Sequence, residues 1–129
     1  GLAAEPPPTP VSVRADSEAL FQILDNLVDN AVKYTPERGH IRVRWQAEGD
    51  TVKLQVCDNG NGIPERDLPR IFERFYRVDR ARSREVGGTG LGLAIVKHLV
   101  QEMRGTIQAT SQIGVGTTFT VLLPRANGV

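Results

Sequence analysis

The stretch VKLQVCDNGNGIP, residues 52–64, decides the fold of this chain. Apolar and polar side chains alternate from Val52 to Val56, which predicts a strand with one buried face. Residues 41–45 alternate in the same way, and Gly49-Asp50 lies between the two runs. A short turn between two alternating runs predicts an antiparallel hairpin, so the centre of the domain is expected to be a sheet.

The end of the second strand carries groups that suit a flat ligand. Asp58 ends this strand at a position that is expected to be buried, and a buried carboxylate needs a hydrogen-bond donor. Gly60 and Gly62 permit positive φ and let the backbone pass close to a ring, and Ile63 can cover the apolar surface of that ring. Asn-Gly and Asn-Gly-Ile-Pro are also ordinary turn sequences, so this block alone leaves a plain turn open.

An amphipathic helix is predicted before the hairpin. Apolar residues repeat at helical spacing through residues 20–31, and Asp16 can cap the helix. Asn26, Asn30 and Lys33 are spaced four and three residues apart, so they share one face beside the apolar stripe. Amide oxygens and an ammonium on one face suit a magnesium triphosphate, and a solvated helix face is the other interpretation of this helix taken alone.

The block GGTGLGL, residues 87–93, is a candidate phosphate-binding segment. It lacks the Lys-Ser or Lys-Thr ending of a P-loop, and it follows an arginine-rich stretch where a dinucleotide-binding turn would follow a strand. Gly88, Gly90 and Gly92 leave backbone amides free at a helix N-terminus, where N–H groups and the helix dipole favour an anion. Thr89 adds a hydroxyl to the same segment.

Arginines are concentrated between the two glycine-containing blocks. The net charge is only +1, yet seven of the sixteen Lys and Arg residues lie in residues 66–84, which indicates an anionic partner. A short amphipathic helix is predicted at residues 66–72, followed by a mobile lid at about residues 74–88 with the glycines as hinges. Phe72 and Phe75 are expected to anchor this lid or to dock a partner domain.

The remaining elements complete a two-layer fold. Residues 11–15 predict an edge strand, and Gly90 opens a helix that Gly105 closes as a left-handed cap. Strands follow at residues 107–109 and 119–123. A hairpin combined with strands separated by helices predicts an α/β two-layer sandwich, in which a mixed sheet of about five strands is covered on one face by about three helices.

Length and composition fit one domain, since 129 residues bury a single core. We expect a Pro-rich linker or disordered N-terminus at residues 1–10, the folded domain at residues 11–124 and a C-terminal tail at residues 125–129. A lone Cys57, with no signal peptide and no long apolar run, predicts a reduced, soluble piece, which we expect to be cytoplasmic. The start at Gly1 without an initiator Met suggests an excised fragment.

Four blocks occur in a fixed order along the chain, with a fifth among them. They are DNLVDNAVKYT (25–35), DNGNGIP (58–64), GGTGLGL (87–93) and GVGTTF (114–119), with IFERFYR (71–77) standing between the second and third. Together they resemble the N, G1, G2 and G3 boxes and the F box of the catalytic ATP-binding domain of sensor histidine kinases, most closely the phosphate-regulation branch. The resemblance implies the Bergerat-type ATP-binding fold of type II topoisomerases, heat-shock protein 90 and mismatch-repair ATPases.

The resemblance also implies roles for single residues. Asn30 corresponds to the family's magnesium ligand, with Asn26 as a second candidate, and Lys33 is expected to contact phosphate. Arg77 is expected to be the lid arginine that binds phosphate, with Arg82 as a second. Asn30, Lys33 and Arg77 would thus be the catalytic residues, with ATP and Mg²⁺ as cofactors.

The adenosine end of ATP would be held by a second group of residues. Asp58 is expected to accept from the adenine amino group, Thr117 to hydrogen-bond the base directly or through water, and Tyr34 to contact the edge of the nucleotide. Gly60, Gly62 and Ile63 are also expected to line the base. The remaining nucleotide contacts are expected from the candidate phosphate-binding segment: Gly88, Thr89, Gly90, Leu91, Gly92 and Leu93.

The implied function is the kinase half of a two-component sensor, which delivers the γ-phosphoryl group of ATP to a histidine on a separate dimerisation domain and from there to a response regulator. His40 and His98 lack the sequence context of the family's acceptor. A slow ATPase and a non-catalytic nucleotide sensor remain alternatives, since Asn26 stands where the ATPase relatives carry a catalytic glutamate. We expect a monomeric fragment that contacts a membrane only through missing upstream segments and binds no nucleic acid.

Overall fold

The computed structural model describes residues 2–5, 17–36, 38–76 and 91–125. Its strands form one five-stranded sheet in the order β1-β2-β3-β5-β4. The strands are β1 (Leu2–Glu5), β2 (Ile41–Glu48), β3 (Thr51–Asp58), β4 (Thr106–Gln112) and β5 (Gly116–Pro124). The helices are α1 (Ser17–Tyr34), a 3₁₀ helix at Leu68–Arg70, and α2 (Gly92–Glu102).

The sheet is mixed and has one apolar face. β1 runs parallel to β2, whereas the other neighbouring strands are antiparallel. Val56 and Phe119 are paired on the apolar face and are almost completely buried, while Gln55 and Thr120 face the other way and hydrogen-bond each other at 3.1 Å. Both α-helices contribute buried residues to the same core. The predicted α/β two-layer class is therefore confirmed, with two α-helices and one short 3₁₀ helix in the described residues where about three helices are predicted.

The first helix and the hairpin follow the sequence pattern. The apolar stripe of α1 is buried, with Ile23, Leu27 and Ala31 at 1% exposure or less. β2 and β3 pair across a turn at Gly49-Asp50, as predicted. Asp16, the predicted cap of α1, lies outside the described residues.

The predicted amphipathic helix from Arg66 to Phe72 is wrong. Only Leu68–Arg70 form a 3₁₀ helix, and hydrogen bonds that span three residues run along the chain from Pro64 to Glu73. Pro69 has no N–H to donate and stands in the first turn, so it gives no support to an α-helical hydrogen-bond pattern around it. The segment is therefore a series of tight turns.

The C-terminus of α2 uses a different cap from the one predicted. Arg104, and not Gly105, has the left-handed conformation, with φ at 60°. The Arg104 N–H donates to the Gln101 carbonyl at 3.0 Å and the Gly105 N–H to the Val100 carbonyl at 2.9 Å, which is the Schellman pattern. A Cβ on Gly105 would overlap the Leu122 carbonyl oxygen, so the close approach of β5 requires glycine here.

The chain ends differ from the predicted linker and tail. Residues 2–5 form β1, an exposed strand at the edge of the sheet, so this part of the predicted linker or disordered N-terminus is a regular element. The edge strand predicted at residues 11–15 lies outside the described residues. At the other end, the Arg125 N–H donates to the Asp50 carbonyl at 2.8 Å, which attaches the start of the predicted tail to the hairpin turn.

Candidate functional site

Three polar side chains close the apolar face of the sheet at one end. Asp58 of β3, Thr117 of β5 and Ser111 of β4 are paired across neighbouring strands, and directly paired residues share a face of the sheet. The next pairs along these strands centre on Phe119 and belong to the apolar core. The core therefore ends in a polar row (Asp58, Thr117 and Ser111), which suits a ligand with an apolar body and a polar edge.

Asp58 is half-buried within this row. Its Oδ1 accepts the Gly60 N–H at 2.8 Å. Burial raises the pKa of the carboxyl above its ordinary value, and hydrogen bonds from the backbone of Gly60 and Thr117 oppose that rise. A partly desolvated carboxylate of this kind gains from a further donor, which a ligand can supply.

Ser111 was not identified as a site residue by the sequence analysis. Its Oγ accepts the Ile63 N–H at 2.7 Å, lies 3.0 Å from the Gly116 carbonyl oxygen and lies 2.8 Å from Thr117 Oγ1. It thereby joins the loop after β3 to the turn before β5. The alternation of β4 could have identified it. Ser111 lies four residues after Ile107, whose side chain packs against the core, so both side chains are on the same face of the sheet.

Close backbone contacts hold the loop after β3. A Cβ on Gly60 would lie 2.7 Å from the Tyr34 carbonyl oxygen, so this loop meets the end of α1. Of the two glycines that permit positive φ, Gly62 uses this freedom, with φ at 79°, and Gly60 does not. A Cβ on Gly116 would overlap the Asp58 carbonyl oxygen, which makes Gly116 a second residue that the sequence analysis missed.

The predicted polar face of α1 lies beside the N-terminus of α2. Asn26, Asn30 and Lys33 are all half-buried. Asn26 Oδ1 lies 3.6 Å from the position that a Cβ on Gly92 would take. Lys33 Nζ lies 3.1 Å from Asp29 Oδ2, so an ion pair within the helix occupies this ammonium. The Asn26 amide therefore lies close to a helix N-terminus, where anions are favoured.

The donor set of this face fits a magnesium ion carried by a phosphate ligand. Mg²⁺ keeps several waters and needs only one or two protein oxygens, which the amides of Asn26 and Asn30 can supply. Clusters of three or more His, Cys, Asp or Glu residues able to hold a metal are absent from the part of the chain that the structure describes. A dedicated protein cage for a metal is thus not seen there.

The two phenylalanines that follow the 3₁₀ helix have different environments. Phe72 packs edge-on against Phe119, with ring centroids 6.2 Å apart. Phe75 is 68% exposed and has a positive φ of 65°. The Tyr76 hydroxyl hydrogen-bonds the Asp67 carboxylate, which ties the end of the segment back to its start. Phe72 therefore anchors the segment, and Phe75 faces solvent.

The glycine-rich block is described only at its end. Leu91 is the N-cap of α2, and Gly92 is the first residue of the helix. Leu91, Gly92 and Leu93 are half-buried, and the Leu91 carbonyl accepts the Ile95 N–H at 3.0 Å. The other predicted contacts of this region lie outside the described residues: Arg77, Arg82, Gly88, Thr89 and Gly90.

Comparison with known proteins identifies the family. Residues 15–127 match the family described as histidine kinase-, DNA gyrase B-, and HSP90-like ATPase. The chain is 48% identical over 114 residues to the sensor histidine kinase WalK of Bacillus subtilis, covering 87% of this chain and 19% of WalK. It is 48% identical over 110 residues to the phosphate regulon sensor protein PhoR of Pseudomonas aeruginosa, covering 85% of this chain and 25% of PhoR.

Solved structures agree with the sequence relatives. The mycobacterial sensor histidine kinase MprB superposes with a TM-score of 0.83 at 35% identity, covering 96% of this chain and 84% of that one. Full-length ShkA in complex with AMPPNP gives a TM-score of 0.83 at 34% identity, covering 99% of this chain and 26% of that one. The chain therefore belongs to the histidine kinase-, DNA gyrase B-, and HSP90-like ATPase family, in the part of it formed by the catalytic ATP-binding domains of sensor histidine kinases.

Proposed function

We propose that this chain binds ATP at the polar row and delivers the γ-phosphoryl group to a histidine on a separate dimerisation domain. The observation that carries the proposal is the pairing of Asp58 with Thr117 where the apolar core ends. Adenine has apolar faces and an amino group at its edge, so it matches an apolar floor bordered by acceptors. Family membership supplies the class of reaction.

The base end would recognise adenine through complementary hydrogen bonds. Asp58 would accept from the exocyclic amino group, and Thr117 would contact the base directly or through water. Ile63 is half-buried against the core and would cover the ring. Guanine would direct a carbonyl oxygen at Asp58, where two acceptors face each other without a proton, so the site should favour ATP over GTP.

The phosphate end would act through position and charge. Bound Mg²⁺ neutralises phosphate charge, and Asn30, with Asn26 as a second candidate, would hold it. Lys33 would exchange part of its ion pair with Asp29 for a phosphate oxygen. Arg77 and Arg82, together with the amides of the glycine-rich block, would bind the remaining charge.

Transfer is favoured over hydrolysis by the residue at position 26. An amide cannot accept a proton from water as a glutamate does, so Asn26 gives no general base for hydrolysis. His40 lies just before β2, and His98 lies 3.5 Å from Glu102 on the surface of α2, and neither has the sequence context of the family's acceptor. The acceptor histidine must then come from another domain.

The chain spans only 19% to 31% of the length of the first curated relatives, so the rest of the signalling system is also a proposal. The partners would be the dimerisation and histidine-phosphotransfer domain of the same kinase and then a response regulator. The domain would work as a monomeric unit in the cytoplasm and without nucleic acid. Among the described residues, the helices are too short or too polar to cross a membrane.

Mixing this chain with an acceptor domain from the same kinase and γ-labelled ATP tests the function. We expect label to appear on the acceptor as an acid-labile phosphohistidine. Two controls are used: an acceptor domain with its histidine replaced by Gln, and this chain with Asp58→Ala. In both, the acceptor domain should remain unlabelled. Sustained phosphate release by the chain alone would contradict the proposal in favour of an ATPase, and ATP binding with neither reaction would favour a sensing module.

A further inference from the structure

The hydroxyl of Ser111 lies within hydrogen-bond distance of three polar groups. It accepts the Ile63 N–H at 2.7 Å, lies 3.0 Å from the Gly116 carbonyl oxygen and lies 2.8 Å from Thr117 Oγ1. Ser111 is half-buried at the end of the polar row, with Thr117 between it and Asp58. Its hydroxyl therefore connects directly to a side chain of the proposed base site.

Only one arrangement of protons satisfies all of these contacts. A hydroxyl carries one proton and two acceptor lone pairs. The Gly116 carbonyl accepts only, so that contact uses the proton of Ser111. The Ile63 N–H occupies one lone pair of Ser111, and the contact with Thr117 is then a hydrogen bond only when Thr117 donates to the other.

We infer that Ser111 is a positioning residue for base recognition, because it takes the hydroxyl proton of Thr117 and leaves Thr117 with acceptor lone pairs alone. Paired residues on neighbouring strands have Cβ atoms about 4.5 to 5.5 Å apart, so a free Thr117 proton would be available to the Asp58 carboxylate. Because the Thr117 proton is donated to Ser111, it is not donated to Asp58. Thr117 and Asp58 then both act as hydrogen-bond acceptors. Such an edge selects a base, or a water, that donates.

The inference rests on the proposed ATP site, and its test must separate base selection from loop anchoring. Loss of the Ile63 contact in Ser111→Ala would loosen the loop for every nucleotide alike. Only the Thr117 contact bears on which base is preferred. The informative quantity is therefore the ratio of ATP affinity to GTP affinity, measured by calorimetry in the parent and in each variant.

Five variants make the test specific. Ser111→Ala, Thr117→Val and the double variant form a cycle, Ser111→Thr keeps a hydroxyl, and Thr110→Ala changes the exposed neighbour on β4. One neutral hydrogen bond is worth about 1 kcal/mol, so the ATP-to-GTP ratio should fall roughly fivefold in Ser111→Ala. It should return with Ser111→Thr and stay unchanged in Thr110→Ala. In the Thr117→Val background, Ser111→Ala should leave the ratio unchanged.

The outcomes distinguish a failure of this inference from a failure of the proposed function on which it rests. If Ser111→Ala weakens ATP and GTP by the same factor, or changes the ratio equally in both backgrounds, Ser111 does not act through Thr117 and the inference is overturned. A parent chain that fails to bind ATP would overturn the proposed function as well. Melting curves of the apo variants confirm that each one is folded.

Discussion

The two ends of the candidate site are held in different ways. At the base end, Asp58, Thr117 and Ser111 lie on three adjacent strands and are tied to the nearby backbone and to each other by contacts of 2.7 to 3.0 Å. At the phosphate end, Asn30 and Lys33 lie along one helix surface, and Lys33 is held by an ion pair to an exposed acid. The base end is therefore fixed by contacts within the protein itself.

This difference separates affinity from chemistry. A base site that is held by the protein's own hydrogen bonds costs little ordering on binding, so it can supply affinity for any adenine nucleotide. Phosphoryl transfer depends on positioning and charge around the phosphates, which metal and ligand complete together. Changes at the base end should therefore affect folding and all adenine binding, whereas changes on the polar face of α1 should affect only what depends on metal and phosphate.

The largest effect is expected from Gly116→Ala. Gly114 and Gly116 both have positive φ, but a Cβ on Gly116 would overlap the Asp58 backbone, whereas Gly114 has nothing within 4 Å. Gly116→Ala should lower the unfolding free energy by about 3 kcal/mol or more. Gly114→Ala should lower it by about 1 to 2 kcal/mol, the cost of the left-handed conformation alone. Equal losses in denaturant titrations would show that close packing does not fix the base end.

A smaller and more selective effect is expected from Asn30→Ala. Losing an amide oxygen from the metal shell should remove most of the Mg²⁺-dependent gain in ATP affinity, roughly tenfold, while the melting temperature changes little. Titrations of ATP with and without Mg²⁺ measure this gain. Gln22→Ala, at an exposed position on the same helix, is the matched control. An unchanged magnesium gain in Asn30→Ala would refute its assignment as a ligand.

Asp58→Asn tests the charge at the base end through pH. Because burial raises the pKa of Asp58, the folded chain binds this proton more readily than the unfolded chain, and stability falls as pH rises from the ordinary value of 3.8 through the raised one. At neutral pH the carboxylate therefore costs stability. The apo Asp58→Asn variant should melt slightly higher than the parent.

The same shift predicts how ATP binding depends on pH. Parent affinity should decline as the pH falls toward the raised pKa of Asp58, since a protonated carboxyl loses an acceptor for the adenine amino group. The phosphates of ATP titrate equally for both proteins, so the difference between the parent and Asp58→Asn isolates the carboxyl. Parallel pH profiles for the two proteins would count against Asp58 as the base acceptor.

The smallest effect is expected from Asp29→Ala. Exposed ion pairs contribute about 0.2 to 1 kcal/mol, so releasing Lys33 from this pair should raise ATP affinity by roughly two- to fivefold at most. Asp25→Ala removes the same charge from the same helix and controls for the general field. An equal gain from both variants would mean that Lys33 makes no special contact with phosphate.

Local patterns account for what the sequence predicted well. The alternation from Val52 to Val56 and the apolar spacing of α1 each depend on neighbours within one element, so the hairpin, the helix and the two-layer class follow directly. Asp58 was found because a polar residue ended an inward-facing run. Ser111 ends the inward-facing run of β4 in the same way, and the same reasoning applied to β4 would have found it.

Distant contacts account for what the sequence did not predict. Gly105 is required by the close approach of Leu122 on another strand, whereas the left-handed conformation belongs to Arg104. β1 exists through its pairing with β2, which no local pattern in Leu2–Glu5 indicates. The room that Gly116 needs is set by Asp58, almost half the chain away. These features depend on which elements meet, and periodicity within one element does not contain that information.

Calorimetric titration of ATP and GTP against the parent and Asp58→Ala tests the central claim most directly. The account predicts that the parent binds ATP at least on the order of tenfold more tightly than GTP, since an unsatisfied buried acceptor costs about 1 to 3 kcal/mol. Asp58→Ala should lose this preference and most of its ATP affinity while its apo form remains folded. Near-equal binding of ATP and GTP by the parent would contradict the account.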